Sequence, residues 1–230
     1  MFELNQNIQI EEYKVQNSSI FVIDNFYKNP DKILNLFLST PTIVHKKNEQ
    51  KSYNMIFFED KRHIFKCEEL IYIHKFLSNI CNQKTFYYDN LGFTNWTRFK
   101  KLSFNDYVNN YWWPHLDGGY NGVVYLNKND QVSGTNLYEQ IYFDEFSKNA
   151  EEHYKPWVEK NKYKLIYQIK PKYNRMVLFD GGKFVHGMNI CNDDYFSSTY
   201  RINQVFFFEE NKDHEQIAPP KNLKETKIKY

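Results

Sequence analysis

Three side chains in this sequence have the types and the spacing of a cation site. The stretch YWWPHLDGGYNGVVYLN, residues 111–127, sets His115 and Asp117 one residue apart, beside two glycines and ahead of an apolar run that reads as a strand. Alternate residues of an extended strand project the same way, so this imidazole and this carboxylate could reach one ion. A second histidine, His186, follows an apolar run and the Gly181-Gly182 turn in NRMVLFDGGKFVHGMNI. Two neutral imidazoles and one carboxylate on one face of an octahedral ion leave the opposite positions open, a set that suits non-haem Fe(II). The plainer alternative is a polar turn after two tryptophans, since a chain with seven histidines also produces a His-x-Asp pair by chance.

Arg201 carries the next piece of chemistry. It stands at the head of the apolar run RINQVFFF. An arginine facing into a β core is a costly buried charge unless an anion accompanies it. A dicarboxylate would supply that partner through a bidentate pair.

The elements that must position these groups are legible along the chain. SSIFVIDNFY (18–27) reads as a strand stopping at Asp24-Asn25. NPDKILNLFLST follows as an amphipathic helix, with Asn29 as N-cap, Pro30 at the first helical position, and Ile33, Leu34, Phe37 and Leu38 on one face. Residues 41–60 read as irregular. A second helix is expected over CEELIYIHKFLSNICNQ (67–83), with Leu70, Ile71, Ile73, Phe76, Leu77 and Ile80 as its apolar positions and His74 at the surface or half-buried. From Phe86 the pattern changes to short runs separated by Gly, Asn, Asp and Pro: FTNWTRFKKL, NGVVYLN, GTNLYEQIYF, YKLIYQIKP, NRMVLFDGG and YRINQVFFFEE. Such a series predicts a sandwich or barrel. The polar segment 144–162 reads as a helical insertion, and the charged tail 211–230, with Pro219-Pro220, as an extended or disordered end. A chain of 230 residues can bury one substantial core. The expectation is therefore one mainly β domain over 1–210, with N-terminal α-helices supplying support over about 1–85 and the β core over 86–210.

Composition removes several function classes. A net charge of +2, with charged residues at 25%, gives no electrostatic case for binding nucleic acid or an anionic membrane. Aromatics reach 19%, but Tyr and Phe occur throughout together with Lys, Asn and Ile, as A/T-rich codons would produce, rather than interleaved with a basic patch. Cys67, Cys81 and Cys191 are odd in number and lack C-x-x-C spacing, which argues against a disulfide framework or a structural zinc and for a reducing, cytoplasmic setting. No leader-like opening or membrane-length apolar run is read in the chain.

The order HLD…YLN…SGTNLY…NRMVLFDGG…H…R resembles the 2-oxoglutarate- and Fe(II)-dependent oxygenases, within the broad prolyl-4-hydroxylase-like group. The likeness runs from about Phe99 to Phe208, and FVIDNF…NPDKI is similar to the strand-helix opening of many members. It implies a double-stranded β-helix, or jelly roll, in which His115, Asp117 and His186 bind iron and Arg201 binds the distal carboxylate of 2-oxoglutarate. Tyr125 matches a tyrosine that hydrogen-bonds the same carboxylate in related hydroxylases, or is an ordinary core tyrosine. Asn105 and Tyr107 resemble an Asn-x-Tyr pair that contacts the cosubstrate in some relatives. Asn203 stands where Ser or Thr often follows the arginine by two residues, and Ser133 stands where a second glycine is common. With O2, the implied reaction is hydroxylation or a related oxidation of a C–H bond, releasing succinate and CO2. Asp117 leaves no halide position, which disfavours halogenation. A small molecule or a protein side chain is the expected substrate, a nucleobase the weakest choice. Trp112, Trp113 and Tyr120 flank this site as core or as substrate wall, core being favoured. Two rival readings remain: a jelly-roll metal-binding or structural module without turnover, and a cupin-like metalloenzyme that does not use 2-oxoglutarate. His45, His63, His153 and His214 lie in polar or irregular segments and are assigned no ligand role.

Overall fold

Short runs bounded by Gly, Asn and Asp become strands, near-continuously apolar where both faces are buried and alternating or polar where one or both face solvent. The computed structural model describes residues 1–39, 43–44, 58–64, 67–82, 93–99, 104–129, 134–141, 157–190 and 201–208. In chain order its strands are β1 (Gln9–Val15), β2 (Ser18–Asp24), β3 (Ile43–Val44), β4 (Phe58–Ile64), β5 (Phe93–Phe99), β6 (Asn110–Trp112), β7 (Tyr120–Tyr125), β8 (Thr135–Gln140), β9 (Trp157–Glu159), β10 (Tyr163–Ile169), β11 (Arg175–Asp180), β12 (Val185–Met188) and β13 (Arg201–Phe208). The helices are α1 (Pro30–Ser39), α2 (Glu68–Ile80) and α3 (Phe104–Asn109). The chain is mainly β, and its strands pair antiparallel.

Eight strands form one sheet in the order β1-β2-β11-β7-β13-β5-β4-β3, three form a second in the order β10-β8-β12, and β6 pairs with β9. Ile20, Val22, Val123, Tyr125, Val177 and Phe179 of the large sheet pack with Leu137, Ile169 and Phe184 in one buried cluster, so the two sheets meet face to face as in a β-sandwich. The opposite side of the large sheet carries α1 and α2. There Val124, Met176, Leu178, Ile202, Phe206 and Phe208 meet Ile33, Phe37, Leu70, Ile73 and Leu77. Strand residues of one parity thus serve the helices and those of the other serve the second sheet. No described helix is long and apolar enough to cross a membrane.

Several local expectations change. In α1, Ile33 and Phe37 are buried and Leu34 half-buried, but Leu38 is 61% exposed, because the sheet beneath the helix is already covered one turn earlier. His74 of α2 is buried rather than at the surface: its ring stacks on Phe208 at 4.2 Å, and its Nε2 lies 3.0 Å from the Phe207 carbonyl. Segments read as irregular contribute β3 and β4 to the large sheet. The end of the expected helical insertion is strand β9 followed by a short 3-10 turn at Lys160–Lys162; its earlier part, 144–156, lies outside the described residues, as does the tail 211–230.

Candidate metal centre

His115 and Asp117 lie on the segment that leads into β7, and His186 on β12 of the smaller sheet. Two Asp-Gly-Gly turns set them together. The turn after Asp117 and the turn after Asp180 lie against each other: Asp117 N–H donates to the Gly181 carbonyl at 3.0 Å, and Gly182 N–H to the Gly119 carbonyl at 3.0 Å. Gly119 takes the left-handed φ of 72° that this turn requires.

The histidines then pair through their own backbones. His115 N–H donates to the His186 carbonyl at 3.0 Å and His186 N–H to the His115 carbonyl at 2.8 Å, an isolated antiparallel bridge. Close approach behind this bridge needs Gly187, where a Cβ would stand 2.3 Å from the Trp112 carbonyl oxygen. Trp113 holds a left-handed φ of 45°, uncommon for so bulky a residue and of the kind that collects at functional sites.

Side chains complete the centre. His115 Nδ1 lies 2.7 Å from the Trp113 carbonyl, and His186 Nδ1 3.0 Å from the Phe184 carbonyl. A carbonyl can only accept, so each Nδ1 carries a proton and each Nε2 is turned toward Asp117. Those Nε2 atoms lie 3.7 Å (His115) and 3.2 Å (His186) from Asp117 Oδ2, with the two rings 4.3 Å apart. One ligand atom from each of the three residues lies within 4.8 Å of the others. Burial by itself would raise the Asp117 carboxyl, but the adjacent His186, His115 and Asn121 groups outweigh it and hold the pKa at about 2, so the ligand is a carboxylate at neutral pH. Phe179 meets the His186 ring edge-on at 4.9 Å and limits its rotation.

The set fits a divalent cation. Ligand atoms about 2.1 Å from an ion and at right angles to one another are roughly 3 Å apart. Here Asp117 Oδ2 is 3.2 and 3.7 Å from the two Nε2 atoms and the three residues' ligand atoms lie within 4.8 Å of one another, so a cation would draw them slightly inward. Backbone carbonyls fix the tautomers as outer partners of metal-bound histidines commonly do.

The same inner face carries Arg201, Asn203 and Tyr125 among the remaining expected groups. Arg201 and Asn203 are buried, and Asn203 pairs with Tyr125 across β13 and β7. The Arg201 guanidinium sits 5.6 Å from the centre of the Tyr125 ring. Burial pulls its pKa down, opposed by Tyr125, yet a guanidinium stays charged in protein interiors. Tyr125 in turn hydrogen-bonds Thr135 at 2.8 Å, so the Gly-Thr turn ahead of β8 orients its hydroxyl. Tyr107 is placed elsewhere, in an aromatic cluster with Trp112 and Ile190, flanked by Trp113, Trp157 and Met188. Asn105 lies in α3, and its side chain is outside the described residues. Of the three flanking aromatics, Trp112 is core and Trp113 half-buried beside it, whereas Tyr120 packs against the helix-side cluster because β7 alternates. His45, His153 and His214 also fall outside the described residues.

Sequence reasoning missed Asn121. Its Nδ2 lies 2.5 Å from Asp117 Oδ2 and 3.2 Å from His186 Nε2. Counting back by twos along β7 from Tyr125 finds this position on the same face. No protein-family model matches the chain, and no curated protein matches its sequence.

Proposed function

We propose that this chain is a 2-oxoglutarate- and Fe(II)-dependent oxygenase with a double-stranded β-helix core, hydroxylating a C–H bond of a small molecule or a protein side chain. The observation that carries this reading is the placement of Arg201, a buried guanidinium over Tyr125, on the same inner face as the His115/Asp117/His186 cluster. A guanidinium at that place has the planar, charge-assisted fork that takes a carboxylate bidentately.

In this reading His115, Asp117 and His186 hold iron through Nε2, a carboxylate oxygen and Nε2, leaving the remaining positions to small ligands. Bound iron with 2-oxoglutarate and O2 supplies oxidative decarboxylation of the cosubstrate to succinate and CO2, coupled to oxidation of a substrate C–H bond. Arg201 takes the carboxylate of 2-oxoglutarate remote from the metal, and the Tyr125 hydroxyl, oriented by Thr135, donates to the same group. Asn203, one step along β13, presents an amide on that face. Trp113 and Leu116, half-buried and exposed beside His115, offer apolar surface at the rim where a substrate would approach. Nothing in the net charge favours a nucleic-acid substrate.

Anaerobic calorimetry on the Mn(II)-loaded protein tests this directly. Wild type should bind 2-oxoglutarate, and Arg201→Ala should weaken that binding by more than about tenfold, since losing a buried charge pair costs about 2–5 kcal/mol and each tenfold is about 1.4. Mn(II) affinity should hardly change. Wild type that ignores 2-oxoglutarate, or Arg201→Ala that binds it equally well, would leave a metal-binding β module as the better account.

A further inference from the structure

Two acceptor atoms in the centre converge on one amide. Asp117 Oδ2 and His186 Nε2 stand 3.2 Å apart, and in the Nδ1–H tautomer that leaves Nε2 able to bind a metal both atoms are acceptors. The Asn121 –NH2 group carries two protons and lies within hydrogen-bond distance of both atoms, at 2.5 Å from the oxygen and 3.2 Å from the nitrogen. One proton to each acceptor satisfies the pair and holds its spacing.

The orientation of that amide is set by its donors. Asn121 is only 2% exposed, and its Oδ1 has no hydrogen-bond partner among the described residues. Leaving a buried acceptor bare is unfavourable, and the reversed amide would turn an oxygen toward a carboxylate and a lone pair, which is worse. The fold also keeps a place for the group. A Cβ on Gly181 would stand 2.5 Å from Asn121 Nδ2 and 2.7 Å from its Cγ, so the turn after β11 is open only because position 181 has no side chain. Gly181 itself does not occupy the left-handed region, so alanine there is conformationally allowed and changes only this contact.

We propose that Asn121 is a positioning residue of the metal centre, whose two N–H groups hold the Asp117 carboxylate and His186 imidazole in their ligand arrangement, with Gly181 as the cradle that admits it. The inference rests on the metal reading of His115, Asp117 and His186 but not on the identity of the cosubstrate. When a cation takes the Nε2 lone pair, Asn121 retains its bond to Asp117 through the second lone pair of the oxygen, and so restrains that carboxylate in both states.

The test uses the full chain, with Mn(II) affinity by calorimetry and the visible spectrum of the Co(II)-loaded protein, which reports ligand arrangement rather than folding. Asn121→Ala should weaken Mn(II) binding by about 10- to 100-fold, the range for loss of an outer partner, and should alter the Co(II) bands. Gly181→Ala should move both readouts in the same direction. Added to Asn121→Ala, it should cost no more than about a further twofold, since the group it displaces is gone. Asn121→Ala with wild-type affinity and spectrum overturns the proposal, as does a Gly181→Ala loss that persists undiminished in the Asn121→Ala background. Should Asn121→Ala fail to fold, a folded Gly181→Ala protein with unchanged affinity and bands overturns it equally. Absence of stoichiometric Mn(II) binding by the wild type defeats the metal reading itself, a separate result.

Discussion

Along β7 and β13, Val124, Ile202, Phe206 and Phe208 face helices α1 and α2, while Asn121, Tyr125, Arg201 and Asn203 face the three-stranded sheet. The same two strands therefore carry an apolar seam on one side and a row of buried polar groups on the other. On the helix side the buried polar groups include Gln204, which accepts from the Tyr27 hydroxyl, and His74, which meets the Phe207 carbonyl and stacks on Phe208. On the inner side they form two groups, Asn121 with Asp117 and His186, and Tyr125 with Thr135 and Arg201. Packing of one face can thus fix the strands while the other face is left to chemistry, and changes on the two faces should have separable effects.

The largest effect belongs to the inner face. His115→Ala and Asp117→Ala, at positions that are only half-buried, should each abolish stoichiometric Mn(II) binding, a greater loss than the roughly 10- to 100-fold expected of an outer partner. Circular dichroism should show the fold retained. Stoichiometric binding that survives both changes would mean that the inner face has been assigned the wrong role.

On the helix side, Phe206→Ala should cost about 3–5 kcal/mol of unfolding free energy in a denaturant titration, the usual range for emptying a buried phenylalanine site. Mn(II) affinity of the still-folded variant should be close to that of wild type. Equal losses in both measurements would show the two faces to be one cooperative unit.

The third and smallest effect is in pH. Burial lowers the His74 pKa from 6.5 to about 4. The unfolded chain takes up this proton near 6.5, whereas the folded protein refuses it until about 4, so the unfolded state binds more protons in that window and stability falls as pH drops through it. At about 1.4 kcal/mol per unit the loss is of order 2–3 kcal/mol, flattening below the folded pKa. His74→Gln should remove most of this slope when urea midpoints are compared between pH 6.5 and 4; parallel curves for variant and wild type would assign the acid sensitivity elsewhere.

Strands buried on both faces were easiest to read from sequence. NGVVYLN, NRMVLFDGG and RINQVFFF announce β7, β11 and β13 because turn residues bracket apolar runs. β1, QIEEYKV, is exposed along nearly its whole length at the edge of the sheet, and β4, FEDKRHI, is mostly charged; neither has an apolar face to betray it. His74 defeated local reading because the groups its ring meets, the Phe207 carbonyl and the Phe208 ring, come from far along the chain. For the metal centre, residue types and Gly-rich turns sufficed to propose His115, Asp117 and His186 as a set. Asn121 did not stand out, since asparagine after Gly-Gly-Tyr reads as turn chemistry, and its function depends on a glycine sixty positions away in the chain.

The backbone bridge between His115 and His186 also bears on the order of events in folding. Its two halves come from distant parts of the chain, one leading into the large sheet and one within the small sheet. That loop must close, and the layers must dock, before a cation can span the ligands, and closures of this length are among the later steps of folding. A cation that engages only after docking lowers the energy of the finished state without helping the chain to reach it. Its kinetic signature is then a slower unfolding rate with an unchanged folding rate.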